Sequence, residues 1–292
     1  MECPVCNHNQ NKEIYVRTQE RIKKRVKAFI CRRCKSIYLE DYQKDRGFLY
    51  ENPDYSPWGK AEEEAEEDVA MSKKEAFKWQ LSLLQRYTTG KGKRLLDIGT
   101  GKGYLLEVAS ELGFDPYGVE PSPYTSKVTE KRFPKKIICG LLEDAKYKNG
   151  EFDVITMTDL IEHIPHPHSF FDEVYRILKP SGFILITTPN SNSFTRILLG
   201  KDWFQYKYEH IIYYNKVSLR HLLDKKGIEV RETRNNIKRF QMGYYYHYFK
   251  QYSLFGIDTL FRFIYPYLPG FIKNLYFSNP ITGEMIVIAQ KL

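Results

Sequence analysis

The run Leu95-Leu96-Asp97-Ile98-Gly99-Thr100-Gly101-Lys102-Gly103-Tyr104 decides how the rest of the chain is read. An apolar strand ends in an acid, glycine follows at every second position, and a helical pattern begins at Tyr104. Glycines in such a loop let the backbone turn tightly and approach a ligand where a Cβ would collide. The spacing excludes two common phosphate loops. A dinucleotide fingerprint would need its third glycine where Tyr104 stands, and a Walker loop would need Ser or Thr where Gly103 stands.

Outward from this loop, short apolar runs alternate with helical patterns. The runs are Arg94–Ile98, Asp115–Val119, Lys136–Cys139, Phe152–Met157 and Phe183–Thr188. Helices are expected over Tyr104–Leu112, Pro123–Arg132, Ser169–Leu178 and Val217–Lys226, with further strands at Ile228–Thr233 and Glu284–Ala289. Such alternation predicts an α/β, Rossmann-like, doubly wound sheet of seven strands covered on both faces. The second strand ends in Glu120, at the crevice where a carboxylate can accept from both hydroxyls of a ribose. The alternative for Glu120 is that it only caps the helix that follows.

At these residues the chain resembles the class I S-adenosylmethionine (SAM)-dependent methyltransferases, in their small-molecule branch. D-x-G-x-G-x-G from Asp97 to Gly103, followed by Glu120, is similar to their SAM-binding signature. Gly140-Leu141-Leu142-Glu143-Asp144 resembles the adenine-side loop. Asp159-Leu160-Ile161-Glu162-His163-Ile164 resembles the Glu-His signature found in ubiquinone-biosynthesis O-methyltransferases. Arg176–Gly182 and Thr188-Pro189-Asn190 match the helix–turn–fifth-strand passage, and the likeness covers about residues 60–235 and 283–291. It implies that Gly99, Gly101 and Gly103 line the amino-acid end of SAM, with Asp97 orienting that loop. It also implies that Glu120 holds the ribose, Leu142 and Glu143 border adenine, and Thr158 meets the methionine part. The last strand should run antiparallel.

Methyl transfer needs a base only when the acceptor must lose a proton. His163, just beyond the fourth strand, and His210, in the connection after the fifth, are the catalytic candidates. The alternative for His163 is that it ties its loop to neighbouring backbone. His166 and His168, between prolines, are expected to face solvent.

Upstream, Cys3-Pro4-Val5-Cys6 and Cys31-Arg32-Arg33-Cys34 form two knuckles separated by 24 residues. Four thiolates so spaced suit a structural zinc ribbon, because metal binding would supply the folding energy that so small a segment lacks; redox dithiols or an iron centre are the alternatives. Strands are expected at Ile14–Thr18, Val26–Ile30 and Ser36–Leu39. The fifth cysteine, Cys139, reads as a buried packing residue. The chain divides into the ribbon (1–48), a linker with N-terminal helices (49–92) and the catalytic domain (93–292). The acidic run Glu62–Asp68 opens a helix that ends near Gly90.

Residues 1–48 carry 12 Lys/Arg against 6 Asp/Glu, in a chain of net charge +9, so anionic partners are favoured without being identified. Arg17, Arg21, Lys23, Lys24, Arg25 and Lys27 could follow a phosphate backbone, which keeps RNA methylation as a second reading. A third is a non-catalytic SAM-binding protein. The first reading is methylation of a small-molecule acceptor, a sugar or other glycan-pathway intermediate, free or lipid-linked.

Phe240–Phe277 holds 15 Phe/Tyr in 38 residues, where the chain average would give about six. It reads as an insert: a packed helical pair, a lid over an acceptor, or a membrane contact. Two Cys-x-x-Cys pairs and the absence of a leader-like start point to a cytoplasmic protein, with peripheral membrane contact as the variant. Oligomeric state is left open.

Overall fold

A computed structural model describes residues 1–18, 24–44, 66–243, 246, 257–273, 275–279 and 283–292. Its centre is a seven-stranded sheet. In chain order the strands are β4 (Arg94–Ile98), β5 (Asp115–Glu120), β6 (Ile137–Cys139), β7 (Phe152–Thr158), β8 (Leu178–Pro189), β10 (Ile228–Asn235) and β13 (Glu284–Lys291). Their spatial order is β10-β13-β8-β7-β4-β5-β6. β4 pairs in parallel with both β5 and β7, while β13 runs antiparallel between β8 and β10. The order reverses between β4 and β7, and ligands in such sheets bind beyond the carboxyl ends of the strands at that point.

Helices cover both faces. They are α1 (Glu66–Leu84), α2 (Tyr104–Glu111), α3 (Pro123–Arg132), α4 (Pro167–Ile177), α5 (Phe194–Leu199) and α6 (Lys216–Asp224). α4 buries Phe170, Phe171, Val174 and Ile177, and α6 buries Leu219, Leu222 and Leu223. These spacings put one apolar stripe on each helix. Burial of each such side chain stabilises the fold by about 1.5–3 kcal/mol. α1 stops at Leu84, short of the expected Gly90, and a turn closed by Tyr87 N–H to Leu84 O follows it. The start of the acidic run lies outside the described residues.

Neighbouring side chains on one strand point to opposite faces, and this splits the core. Leu95 packs with Leu81, Leu84, Leu105, Leu106 and Ile286 on one side. Leu96 belongs to a larger cluster that includes Phe171 and Trp203 and continues into Cys3, Cys31, Ile37 and Tyr38. The cysteine segment therefore shares a core with the catalytic sheet.

That segment contains β1 (Asn11–Arg17), β2 (Arg25–Cys31) and β3 (Ile37–Leu39). A fourth strand completes its sheet, and it comes from far downstream. β9 (Ile212–Tyr213) pairs antiparallel with β3, Ile37 opposite Tyr213 and Tyr38 opposite Ile212. Sequence reading missed β9 because Ile211–Tyr214 is apolar at every position and shows no period.

The aromatic region, expected as an aromatic-rich helical insert, is framed by an antiparallel ribbon, β11 (Lys238–Gln241) with β12 (Tyr276–Asn279). Between them lie α7 (Ile257–Ile264) and α8 (Gly270–Lys273). Residues 244–245 and 247–256 of that region are outside the described residues. No helix among the described residues is long and apolar enough to cross a membrane.

Gly118 of β5 shows how closely the sheet meets the glycine loop. A Cβ there would lie 2.3 Å from the Thr100 hydroxyl, which itself donates to the Asp97 carbonyl at 2.8 Å. Gly118→Ala should lower stability by about 1–3 kcal/mol, the usual cost of overpacking. Urea unfolding would measure it, and an unchanged midpoint would show that Thr100 can move aside freely.

Candidate functional site

All three loop glycines have positive φ: +79° at Gly99, +53° at Gly101 and +76° at Gly103. L side chains are strained there. The space around them differs. A Cβ on Gly103 would strike Thr129 at 2.7 Å, so that glycine also serves close packing. A Cβ on Gly101 would meet nothing within 4 Å, so its backbone borders open space above the switch point. Leu160, from the turn after β7, reaches to 3.2 Å from the Cβ position of Gly99 and brings the two loops together.

Glu120 is almost fully buried and fastens this cradle. One carboxylate oxygen accepts from the Gly101 N–H at 2.8 Å, the other from the Ser122 N–H at 3.0 Å. Helix α3 is capped instead by the Ser122 hydroxyl, which accepts from Thr125 N–H. Each carboxylate oxygen can take a further donor, so two ribose hydroxyls could be accommodated. Burial raises the Glu120 pKa, opposed by the two backbone N–H groups. The backbone carbonyl of Glu120 accepts from Gly140 N–H at 3.1 Å. This sets the turn that presents buried Leu142 and exposed Glu143 beside β5. Thr158 is half-buried at the end of β7, opposite Thr187.

Asp97 meets the loop through its carbonyl, while its carboxylate accepts the Thr156 hydroxyl at 2.7 Å. Burial pushes its pKa up to about 7, the Thr156 bond works against this, and the Glu120 charge adds to it.

Across the cleft, β7 ends in a constrained corner. Asp159 has φ +52°, and its N–H donates to Thr187. Ile161–His163 then form one 3-10 turn. Glu162 is fully buried, with one carboxylate oxygen accepting from the Thr188 hydroxyl at 2.9 Å. Its other oxygen has no hydrogen-bond partner among the described residues. Burial first, then the Asp159 charge, raises its pKa well above the ordinary carboxylate value.

The structure brings His163 and His210 together. Their rings meet edge to face, centroids 4.9 Å apart, and His210 lies 6.0 Å from the Tyr213 ring. His210 Nδ1 is 3.0 Å from the Gln205 carbonyl, so Nδ1 carries the proton and Nε2 is the acceptor. Burial, then Lys207 and His163, holds the His210 pKa well below its ordinary value. Donor atoms of Glu162, His163 and His210 lie within 4.8 Å of one another, close enough to share one proton or one cation. His166 is exposed as expected, whereas His168 is half-buried.

Sequence reasoning missed a partly buried polar group beside this pair. Lys238 donates to Asp159 at 3.0 Å and pairs with Glu284 at 2.7 Å. Gln205 and Asn236 both donate to Glu284. Burial opposes ionisation of Asp159, yet Lys238 outweighs it and lowers the Asp159 pKa. Nothing in the local sequence marks that lysine.

In the N-terminal segment the Sγ atoms of Cys3, Cys6, Cys31 and Cys34 all lie within 4.8 Å of one another, and all four residues are buried. The residue after each knuckle, Asn7 and Lys35, has φ +60°. Asn7 N–H donates to Cys3 O, and Lys35 N–H donates to Cys31 O, so the two turns match. A thiol bond with Cys34 lowers Cys3 to about 5, while burial raises Cys6 to about 11. Four thiolates so close need a cation, and tetrahedral zinc suits this donor set. Cys139 is exposed, contrary to expectation, because β6 is the edge strand of its sheet.

Comparison with known proteins follows this geometry. A family model described as a methyltransferase domain matches residues 70–233, more than half of the chain. The ubiquinone biosynthesis O-methyltransferase of Thiobacillus denitrificans is 32% identical over 113 residues, which cover 37% of this chain and 49% of that protein. A probable S-adenosylmethionine-dependent methyltransferase of Mycolicibacterium smegmatis is 28% identical over 143 residues, covering 49% and 54%. The chain spans about half the length of these curated relatives. A chain from the complex of the Haloferax volcanii Trm112 methyltransferase activator with a methyltransferase aligns with a TM-score of 0.54 and 15% identity. It covers 79% of this chain and 96% of its own, a likeness of fold.

The raised Asp97 pKa has a definite sign. The folded state keeps a proton that the unfolded state releases near pH 4, so stability falls as pH rises from about 4 to 7. Asp97→Asn keeps an acceptor for Thr156 and removes this dependence. Its stability relative to the parent should rise by roughly 1–3 kcal/mol between pH 5 and 7.5. Unfolding curves at both pH values would test this; a constant difference would place the carboxyl in a wetter setting.

Proposed function

The chain belongs to the class I SAM-dependent methyltransferases, and from that premise we propose that it methylates a small-molecule acceptor, a sugar or other glycan-pathway intermediate. The observation that carries this reading is the His163–His210 pair beside Glu162; the turn after β7 that carries His163 also brings Leu160 against Gly99 of the glycine loop. SAM supplies a methyl group on a positively charged sulfur, which leaves as a neutral thioether. The residues of this chain hold the cofactor and present the acceptor. Gly99, Gly101 and Gly103 offer bare backbone to its amino-acid end, Glu120 takes the ribose hydroxyls, and Leu142 and Glu143 flank the base. Thr158 borders the methionine part.

The acceptor enters between the turn after β7 and the loop before β9. His210 presents an unprotonated Nε2 that can take a proton from an acceptor hydroxyl. His163 stands beside it, and burial raises the Glu162 pKa, which favours the neutral carboxyl next to the pair. Most of the acceleration comes from alignment and exclusion of water, as in-line displacement requires.

The small-molecule reading is favoured over RNA by the fate of the basic residues. Arg17 pairs with Asp202 and Lys27 with Glu13 and Glu40, while Arg25 lies over Tyr15 and Lys24 over Tyr208. Arg21 and Lys23 fall outside the described residues. The four cysteines hold one structural zinc, supported by their mutual spacing and burial. We place the protein in the cytoplasm. Contact with a membrane surface fits the exposed apolar side chains Phe194, Ile197 and Leu198.

Two variants separate binding from transfer. Glu120→Ala should weaken binding of demethylated cofactor by about tenfold or more in calorimetry, since it removes charged acceptors. His210→Gln should keep that affinity and lower turnover about 10²-fold or more with labelled SAM and a panel of sugar nucleotides. Unaltered turnover would remove His210 from the chemistry. No transfer by the parent to any acceptor, with tight cofactor binding, would favour a non-catalytic role. Metal analysis should find one zinc per chain, and none once all four cysteines are serine.

A further inference from the structure

The cysteine centre and the acceptor-side histidine are joined by a short, fully specified path. Asn215 is buried at the end of the run that carries His210 and β9. Its side-chain amide donates to the Cys34 carbonyl at 3.0 Å. Its side-chain oxygen accepts from Val217 N–H at 2.9 Å and Ser218 N–H at 3.0 Å, which caps α6. One side chain thus grips the second knuckle with its donor end and the catalytic domain with its acceptor end.

The strand before it is held on both sides. Leu39 N–H donates to Ile211 O at 3.0 Å, and Ile211 N–H donates to Glu162 O at 2.9 Å. Ser191 N–H donates to Tyr214 O at 2.7 Å. β9 has two residues, far too few to keep an extended form without neighbours. Its outer neighbour is β3, which begins three residues after Cys34. Order at the knuckle therefore reaches His210 and Glu162 through β3, β9 and Asn215.

We propose that Asn215 is a positioning residue, fastening the second cysteine knuckle to the His210 loop so that the metal centre sets the acceptor side of the active site. This rests on the reading of His210 as an acceptor-side group, but its test does not depend on turnover. The cysteine centre then acts on catalysis without touching substrate.

The discriminating variant is Asn215→Asp. It keeps both acceptor bonds of the helix cap and loses the donation to Cys34 O. Ser218→Ala is the control, because it weakens the same cap and leaves Cys34 untouched. Three measurements on zinc-loaded full-length protein apply: metal capture by a chromogenic chelator, amide exchange at Ile211–Tyr213, and the His210 ring resonances. Asn215→Asp should release metal and exchange those amides about tenfold faster than the parent, the scale of one buried hydrogen bond lost. It should bind demethylated cofactor within about twofold of the parent, because Glu120 and the glycine loop lie elsewhere. Stripping metal from the parent should shift the His210 resonances. Parent-like metal release and exchange in Asn215→Asp would overturn the proposal, as would equal effects in Ser218→Ala. So would His210 resonances indifferent to metal. If His210→Gln turns over normally while these couplings hold, the functional reading fails and the mechanical link stands.

Discussion

One carboxylate holds the nucleoside side of this protein together. Glu120 accepts from the backbone of the glycine loop with one oxygen and from the start of α3 with the other, while its own carbonyl supports the turn after β6. Three separate connections thus depend on a residue that water barely reaches. A buried carboxylate is tolerated only when its oxygens are satisfied by donors. Here the Gly101 and Ser122 N–H groups satisfy part of that demand, one on each oxygen. The same atoms that order the loop are those a bound nucleoside would use.

Much of this was legible in the sequence because its physics is local. Positive φ demands glycine at 99, 101 and 103, and a parallel sheet buried on both faces demands the apolar runs that mark its strands. Pro123–Arg132 was placed to the residue, since Ser122 and a proline at the helix start announce it. What stayed hidden depends on distant partners. Nothing in Ile212-Tyr213 says that it will extend the sheet of Ile37–Leu39, because that pairing exists only once the two segments share a core. Nothing in the sequence marks Lys238, and only the corner at Asp159 with the β13 residue Glu284 gives it partners. Cys139 was expected to be a buried packing residue, and it is exposed because strand order, which makes β6 an edge, is not written in local sequence.

The acceptor side is built from opposing shifts in ionisation. Burial raises the Glu162 pKa and lowers that of His210, so both favour their neutral forms, while pairing lowers the Asp159 pKa and raises that of Lys238. Lys238 is shared between Asp159 and Glu284, so the charges beside the histidines are balanced within one ion-paired group. That suits a reaction in which a cationic methyl donor meets a nucleophile that must shed a proton, since each extra fixed charge would favour one partner at the other's expense.

The pairing of β3 with β9 also bears on how the chain comes off the ribosome. Residues 37–39 emerge about 170 residues ahead of the strand that completes their sheet, and at ordinary elongation rates that gap lasts roughly 10–35 seconds. For that interval the nascent N-terminal segment exposes an open strand edge, a template for wrong partners. Early metal capture by Cys3, Cys6, Cys31 and Cys34 would fold the segment around its thiolates while the edge waits, making metal supply during synthesis a determinant of yield as well as of final stability.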